Sequence, residues 1–236
     1  MLALLENVSV NLEYIPLFQN LSEIEMTRLR SQLRTRRVPA NRNIIRMEQP
    51  GEMIYIIGQG TVKIQVDQTD GSEVILAILG PGEVVGEMSL IDREDRSANA
   101  ITMEETTLYW MNRTCFEECL RSMPNLNFNL MQVFTRRLRF ANQQLQARSR
   151  LDVDGRLAQL LITLAEEYGR REPGYGPDES TLPFRLTQSE LASLVGATRV
   201  RVNQVLSEYK QRNLISVDPS YRITVRNYAG LAQRCE

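Results

Sequence analysis

The apolar positions of this chain change period several times, and each change marks a different kind of structure. Between Leu12 and Leu33 apolar and polar residues alternate at helical spacing, and Leu21-Ser22-Glu23-Ile24-Glu25 offers a serine cap ahead of an acidic first turn. Two short helices are predicted there. From about Val38 to Trp110 the period falls to two, in short runs such as Ile54-Tyr55-Ile56-Ile57 and Val62-Lys63-Ile64-Gln65-Val66. Seven of the thirteen glycines (Gly51, Gly58, Gly60, Gly71, Gly80, Gly82, Gly86) fall in this stretch, so the strands are short and tightly turned, as in a β-barrel or jelly roll. Asp70-Gly71, between Val62–Val66 and Val74–Ile78, predicts a hairpin turn.

After Pro124 the helical period returns and persists. Leu126, Leu130, Phe134, Leu138, Ala141 and Leu145 recur every three or four residues. A stripe of that length with polar flanks exceeds what one β-roll can cover, so it predicts a parallel helix pair between two copies of the chain, against the plainer reading of core packing. Asp152-Val153-Asp154-Gly155-Arg156 predicts a hinge, and Arg156 to Tyr168 a helix carrying Leu157, Leu160, Leu161 and Leu164 on one side. Arg170 to Pro183, with Pro173, Gly174, Gly176 and Pro177, predicts a surface loop.

The last third carries a two-helix pattern. Leu186-Thr187-Gln188-Ser189-Glu190-Leu191 opens with a threonine cap, Gly196 follows at a sharp turn, and Thr198 caps a second helix over Arg199–Gln211. That spacing leaves Arg199, Val200 and Gln204 outward and turns Val202, Val205 and Leu206 inward. Leu214-Ile215-Ser216-Val217 and Tyr221-Arg222-Ile223-Thr224-Val225 then read as wing strands, completing a winged helix-turn-helix. A small helical domain with solvated charges is the plainer alternative.

Composition refines this picture without changing it. At 236 residues the chain can bury two ordinary cores. Its net charge of −1 excludes a uniformly basic coat, yet Arg185 to Arg226 holds seven basic residues against three acidic ones. Met1 to Val10 has no basic leader and no run is long enough to span a bilayer, which predicts a cytoplasmic protein without a membrane partner. The three cysteines, Cys115, Cys119 and Cys235, form no disulfide framework and are expected reduced, with neither a metal nor a redox role. No histidine base, nucleophile motif or cluster of metal ligands points to an enzyme, so no catalytic residue, metal ion or catalytic cofactor is expected.

The chemistry concentrates in Gly86-Glu87-Met88-Ser89-Leu90, followed after an acidic run by Arg96-Ser97-Ala98. A phosphodiester calls for a guanidinium and short hydrogen-bond donors, and a ribose hydroxyl for a carboxylate acceptor. Arg96, Ser97 and Glu87 supply those groups, while Gly86 and Ala98 allow close backbone approach. A surface ion pair is the alternative reading.

These residues resemble the phosphate-binding cassette of the CRP/FNR superfamily of bacterial transcription regulators. The resemblance continues through Leu138, through Leu151-Asp152-Val153-Asp154-Gly155-Arg156-Leu157-Ala158, and from Leu186 to Val217, so it covers most of the chain. It implies an α+β chain with a cyclic-nucleotide-binding β-roll (jelly roll) over residues 1–123, a dimerisation helix and hinge over 124–151, and a winged-helix DNA-binding domain over 152–236. The implied protein is a homodimeric regulator that binds an operator under the control of a cyclic nucleotide. Cyclic AMP is the first choice of effector. Cyclic di-GMP is the alternative, and a member that has lost ligand control is a third reading. Without histidine or an N-terminal cysteine cluster, a histidine-held haem and an iron–sulfur centre are excluded as sensors.

The resemblance also assigns site residues. Effector contacts fall on Gly86, Glu87, Met88, Ser89, Arg96, Ser97 and Ala98, with Arg137 and Asn142 of the long helix toward the base or phosphate. One residue is missing between Glu87 and Arg96 relative to the catabolite activator branch, and Ala141 stands where that branch has a hydroxyl. DNA contacts fall on Thr187, Gln188, Thr198, Arg199, Val200, Arg201 and Gln204. In that set Arg199 and Gln204 face base edges, Arg201 meets phosphate, and the threonines and Gln188 anchor helix N-termini. Val200 and Gln204 replace a glutamate and an arginine of the catabolite activator pattern, which predicts a different operator. RNA polymerase is the further partner the family implies, with Arg171 to Ser180 as the segment to meet it; a variable surface loop is the plainer reading.

Overall fold

The computed structural model describes residues 12–69, 73–170, 176 and 179–235. The Asp70-Gly71 turn, the segment 1–11 and most of the loop after Arg170 lie outside the described residues. The chain divides into two compact units, residues 1–64 with 78–136 and residues 65–77 with 137–236.

The first unit begins with two 3₁₀ turns, Leu12–Tyr14 and Pro16–Phe18, then helix α1 (Glu23–Gln32). Ser22 caps α1 as its sequence predicts: its hydroxyl accepts from Glu25 N–H while the Glu25 carboxylate accepts from Ser22 N–H at 2.7 Å. That closed box also keeps the Glu25 carboxyl below its ordinary value, through hydrogen bonds from the Ser22 backbone and then its side chain.

Eight strands follow along the chain, the end of β4 and most of β5 counting with the second unit: β1 (Arg34–Val38), β2 (Asn43–Ile45), β3 (Met53–Gln59), β4 (Val62–Asp67), β5 (Glu73–Leu79), β6 (Val84–Val85), β7 (Asn99–Thr102) and β8 (Thr106–Asn112). They form two four-stranded sheets, ordered β1-β8-β3-β6 and β2-β7-β4-β5. A four-residue helix α2 (Met88–Ile91) interrupts the strands, and α3 (Arg113–Ser122) and the 27-residue α4 (Pro124–Arg150) close this part of the chain. Leu17, Phe18, Leu29, Ile54, Ile56, Phe116, Met123 and Leu126 lie in one continuous core. β1 begins four residues before the expected start, because its exposed arginines hide the two-residue period. Arg34 instead lies over the Trp110 ring of the paired strand at 5.3 Å.

The long helix departs from the stripe read off the sequence. Leu126, Leu130 and Val133 are buried in the core, whereas Leu138 and Leu145 are exposed. Exposed Phe128 and Met131 were not in that stripe, and with Thr135, Leu138, Asn142 and Leu145 they make an outward face spaced alternately by three and four. At about 3.6 residues per turn, a single row chosen every four residues drifts around the helix and mixes the two faces.

In the second unit α5 (Val153–Tyr168) precedes β9 (Ser180–Arg185), α6 (Gln188–Val195), α7 (Arg199–Gln211), β10 (Ile215–Val217), β11 (Arg222–Val225) and α8 (Tyr228–Ala232). The wing is three-stranded, ordered β10-β11-β9, so part of the expected loop up to Pro183 is strand; the buried Thr181 and Thr224 hydroxyls hydrogen-bond at 2.9 Å across it. The expected hinge is also narrower. Only Leu151 and Asp152 separate the two helices, and Asp152 caps α5 by accepting from Gly155 N–H at 2.9 Å. Gly155 is there for space rather than freedom: it is buried, and a Cβ would stand 2.5 Å from Arg234 O.

Candidate effector pocket and DNA-reading surface

The sequence-predicted cassette folds into one place. Gly86 ends β6 with φ +88°, and a Cβ there would meet Arg96 Nη1 at 2.5 Å and Ile45 Cδ1 at 2.8 Å. Only glycine admits both that backbone and the arginine behind it. Glu87, Ser89 and Arg96 are all buried, although acid and guanidinium are ordinarily surface groups.

Arg96 is held by backbone and serine. Its Nη1 donates to Gly86 O at 2.6 Å and to Ser89 Oγ at 2.9 Å, and its Nη2 donates to Met53 O at 2.6 Å. Its own backbone is fixed too, with Glu48 N–H donating to Arg96 O and Arg96 N–H to Gln49 O, each at 2.9 Å. Among the described residues this leaves Nε and the second hydrogen of Nη2 without protein acceptors. A guanidinium with N–H groups to spare can donate paired hydrogen bonds to a phosphate. Burial lowers the guanidinium's hold on its proton, Tyr55 and Glu87 offset this, and the nearby Arg113 adds to it. The site is positive and partly desolvated, the condition in which an anion is bound strongly.

Arg113 is a residue that sequence reasoning passed over. Its Nη2 donates to Gly51 O and, at 3.2 Å, to Ser89 O, so two guanidinium groups converge on Ser89. No local motif announces it, because Arg113 sits at the start of α3, far from the cassette in sequence. Met88 and Ser97 are exposed and Ala98 is half-buried. On α4 Arg137 is half-buried and Asn142 exposed.

The residues expected to contact DNA lie in the second unit. Thr187 and Thr198 are N-caps, the first in a capping box with Glu190 and the second accepting from Arg201 N–H at 3.3 Å. α6 ends at Gly196, where φ is +64°. Arg199, Val200, Arg201 and Gln204 are exposed along α7, and Val202, Val205 and Leu206 are buried beneath them. Gln188 joins the surface from α6: its amide donates to Asn203 Oδ1 at 2.7 Å and accepts from Arg199 Nε at 3.4 Å. Asn203, also missed from sequence, lies on the same exposed face. Arg156 fixes the helix pair to the start of α5, donating to Leu151 O at 2.9 Å, Val195 O at 2.8 Å and Gly196 O at 3.4 Å.

Among the described residues no group of cysteines and acids is arranged to hold a metal, and Cys119 is buried with its thiol donating to Gln32 Oε1 at 2.9 Å. Burial raises that thiol's pKa, so it is a poorer nucleophile than an ordinary cysteine. No helix of the described residues is long and apolar enough to cross a membrane.

Residues 35–123 match the family model of the cyclic nucleotide-binding domain, and residues 155–234 that of the Crp-like helix-turn-helix domain. The CRP-like cAMP-activated global transcriptional regulator of Mycobacterium tuberculosis is 33% identical over 202 residues, covering 86% of this chain and 88% of that protein. The cyclic AMP receptor protein of Thermus thermophilus is 32% identical over 218 residues, 92% of this chain and 95% of that one. The solved structure of the c-di-GMP responsive global regulator CLP of Xanthomonas campestris shares the fold, with a TM-score of 0.69 at 22% identity over 87% of this chain and 100% of that one. These relatives are regulators rather than enzymes. With a cyclic nucleotide-binding domain and a Crp-like helix-turn-helix in one chain, the protein belongs to the CRP/FNR family of transcription regulators.

Proposed function

We propose that the chain is a homodimeric, sequence-specific DNA-binding regulator whose effector is a cyclic nucleotide, with cyclic AMP as the ligand. The observation that carries this reading is the buried Arg96, which is clamped by Gly86, Ser89 and Met53 yet, among the described residues, keeps Nε and one Nη2 hydrogen without a protein acceptor. Glu87 takes the ribose hydroxyl, Ser97 and the Gly86 and Ala98 backbone complete the phosphate contacts, and Arg113 adds a second positive charge behind Ser89. The relatives named for cyclic AMP support that choice of nucleotide.

Two copies pair through the outward face of α4, where Phe128, Met131, Leu138 and Leu145 recur at coiled-coil spacing. Bound nucleotide favours one arrangement of the segment around Asp152 over another, because its contacts differ between them. The favoured arrangement presents both copies of α7 to successive major grooves, about 34 Å apart. Arg199 then reads a guanine edge, Gln204 another base, Val200 a thymine methyl, and Arg201 with the capped helix starts holds phosphate.

The test is calorimetric titration of the purified protein with cyclic AMP and, in parallel, cyclic di-GMP, with Arg96→Ala as control. Micromolar or tighter binding of cyclic AMP that the substitution removes is the expected result. Binding of cyclic di-GMP alone replaces the ligand and redraws the base end. Silence from both, or binding that survives Arg96→Ala, overturns the pocket assignment.

A further inference from the structure

The inner face of the recognition helix carries a polar group with no part in reading DNA directly. Tyr209 on α7 is fully buried, yet its hydroxyl is satisfied: it donates to the Asp154 carboxylate, with Asp154 O also 2.7 Å away. Asp154 stands in the first turn of α5, just beyond the Leu151–Asp152 break that follows α4. Its other carboxylate oxygen accepts from Arg234 Nη1 at 3.4 Å, and Arg234 Nη2 reaches Glu208 Oε1, beside Tyr209, at 3.4 Å. The last turn of the described chain thereby closes a ring from α7 to α5 and back to α7. Burial, the Asp154 hydrogen bond and the Asp154 charge together raise the phenol's pKa, so the hydroxyl is a permanent donor.

We propose that Tyr209 is a positioning residue for DNA recognition: its bond to Asp154 sets the angle at which the recognition helix leaves the start of α5. The leverage is geometric. Arg199 lies ten residues along the helix from Tyr209, about 15 Å at roughly 1.5 Å per residue, so a tilt of about 5° at the anchor displaces the arginine by about 1 Å. A base-edge hydrogen bond does not tolerate that error, whereas a phosphate contact by a flexible exposed arginine does. The bond therefore supports selectivity rather than general DNA affinity. A ring that merely filled the core would need no hydroxyl there, since phenylalanine packs the same space without a polar atom to satisfy.

This assignment rests on the DNA-reading function proposed for α7. The experiment uses the full chain: a duplex is selected from a random pool by the wild type, with cyclic AMP, cyclic di-GMP or no nucleotide according to which supports selection. Affinity for that duplex and for a scrambled one is then compared for the wild type, Tyr209→Phe, Asp154→Asn, Asp154→Ala and the Tyr209→Phe/Asp154→Ala double variant. Tyr209→Phe is expected to lose about tenfold for the selected duplex and less than about twofold for the scrambled one, the size of one buried charge-assisted hydrogen bond. Asp154→Asn keeps an acceptor for the hydroxyl and is expected to retain most of the selectivity. The double variant should lose no more than the worse single one. Equal losses on both duplexes, no loss at all, or losses that add in the double variant overturn the assignment. A wild type that selects no duplex overturns it together with the reading of α7.

Discussion

The cassette and the recognition helix both rely on arginine, and they use it in opposite ways. Arg96 is buried, its side chain gives three hydrogen bonds to its own fold, and among the described residues its Nε and one Nη2 hydrogen have no protein acceptor. Arg199 is exposed and, among the described residues, gives one long bond, from Nε to Gln188, with no acceptor for its terminal nitrogens. A small anion offers few contacts, so its site gains by ordering and desolvating the donor in advance. A DNA groove brings many contacts and must be approached from outside, so its readers stay on the surface and the helix beneath them carries the order. Here that order comes from Val202, Val205, Leu206 and Tyr209.

Substitutions that move a residue from one regime toward the other test the contrast. Arg96→Ala should have the largest effect, at least about a hundredfold loss of cyclic nucleotide affinity by calorimetry, since two charge-assisted bonds vanish. It should also lower thermal stability by about 1–3 kcal/mol, because Gly86 O and Met53 O lose their donor. A variant that binds nucleotide normally would mean that Arg96 does not hold the phosphate. Arg199→Ala should cost about ten- to a hundredfold on the selected duplex in a fluorescence-anisotropy titration, with nucleotide affinity unchanged, as expected for one bidentate base contact.

Gly86→Ala comes next. The strained φ and the clash with Arg96 predict a loss of about 1–3 kcal/mol in denaturant unfolding and about tenfold in nucleotide affinity. An unchanged midpoint would show that the cassette is not held as tightly as the contrast requires. Arg113→Ala should cost about three- to tenfold in nucleotide affinity, a partly exposed charge acting beside the phosphate. The smallest effect belongs to Arg201→Ala: a drop of about one unit in the slope of log affinity against log salt, equal for selected and scrambled duplexes. A change in sequence preference instead would move Arg201 to the base-reading set.

Legibility from sequence followed locality. The Ser22, Thr187 and Thr198 caps, the bounds Arg199–Gln211 of α7 and the strands around Ile54–Ile57 and Val62–Val66 all rest on residues within a turn of one another, and the structure has them where expected. β1 and β9 escaped because one is lined with arginines and the other interrupted by Pro183, so neither shows a clean alternation. Arg113, Asn203 and Tyr209 escaped for another reason: their partners Ser89, Gln188 and Asp154 are 24, 15 and 55 residues away.

The sequence by itself therefore determined the kind of protein: the order of roll, long helix and winged helix, and the cassette whose glycine, acid and arginine lie within eleven residues, Gly86 to Arg96. Local hydrogen-bonding rules and side-chain periodicity are short-range, and so they can be read without coordinates. Only the tertiary structure decided which face of α4 is buried, that Arg96 is gripped by Met53 and Ser89 rather than left as a surface ion pair, and that the recognition helix is fastened to α5 through a buried phenol. Each of those depends on chain segments brought together by core packing, where burying a polar group is tolerable only if a distant partner satisfies it.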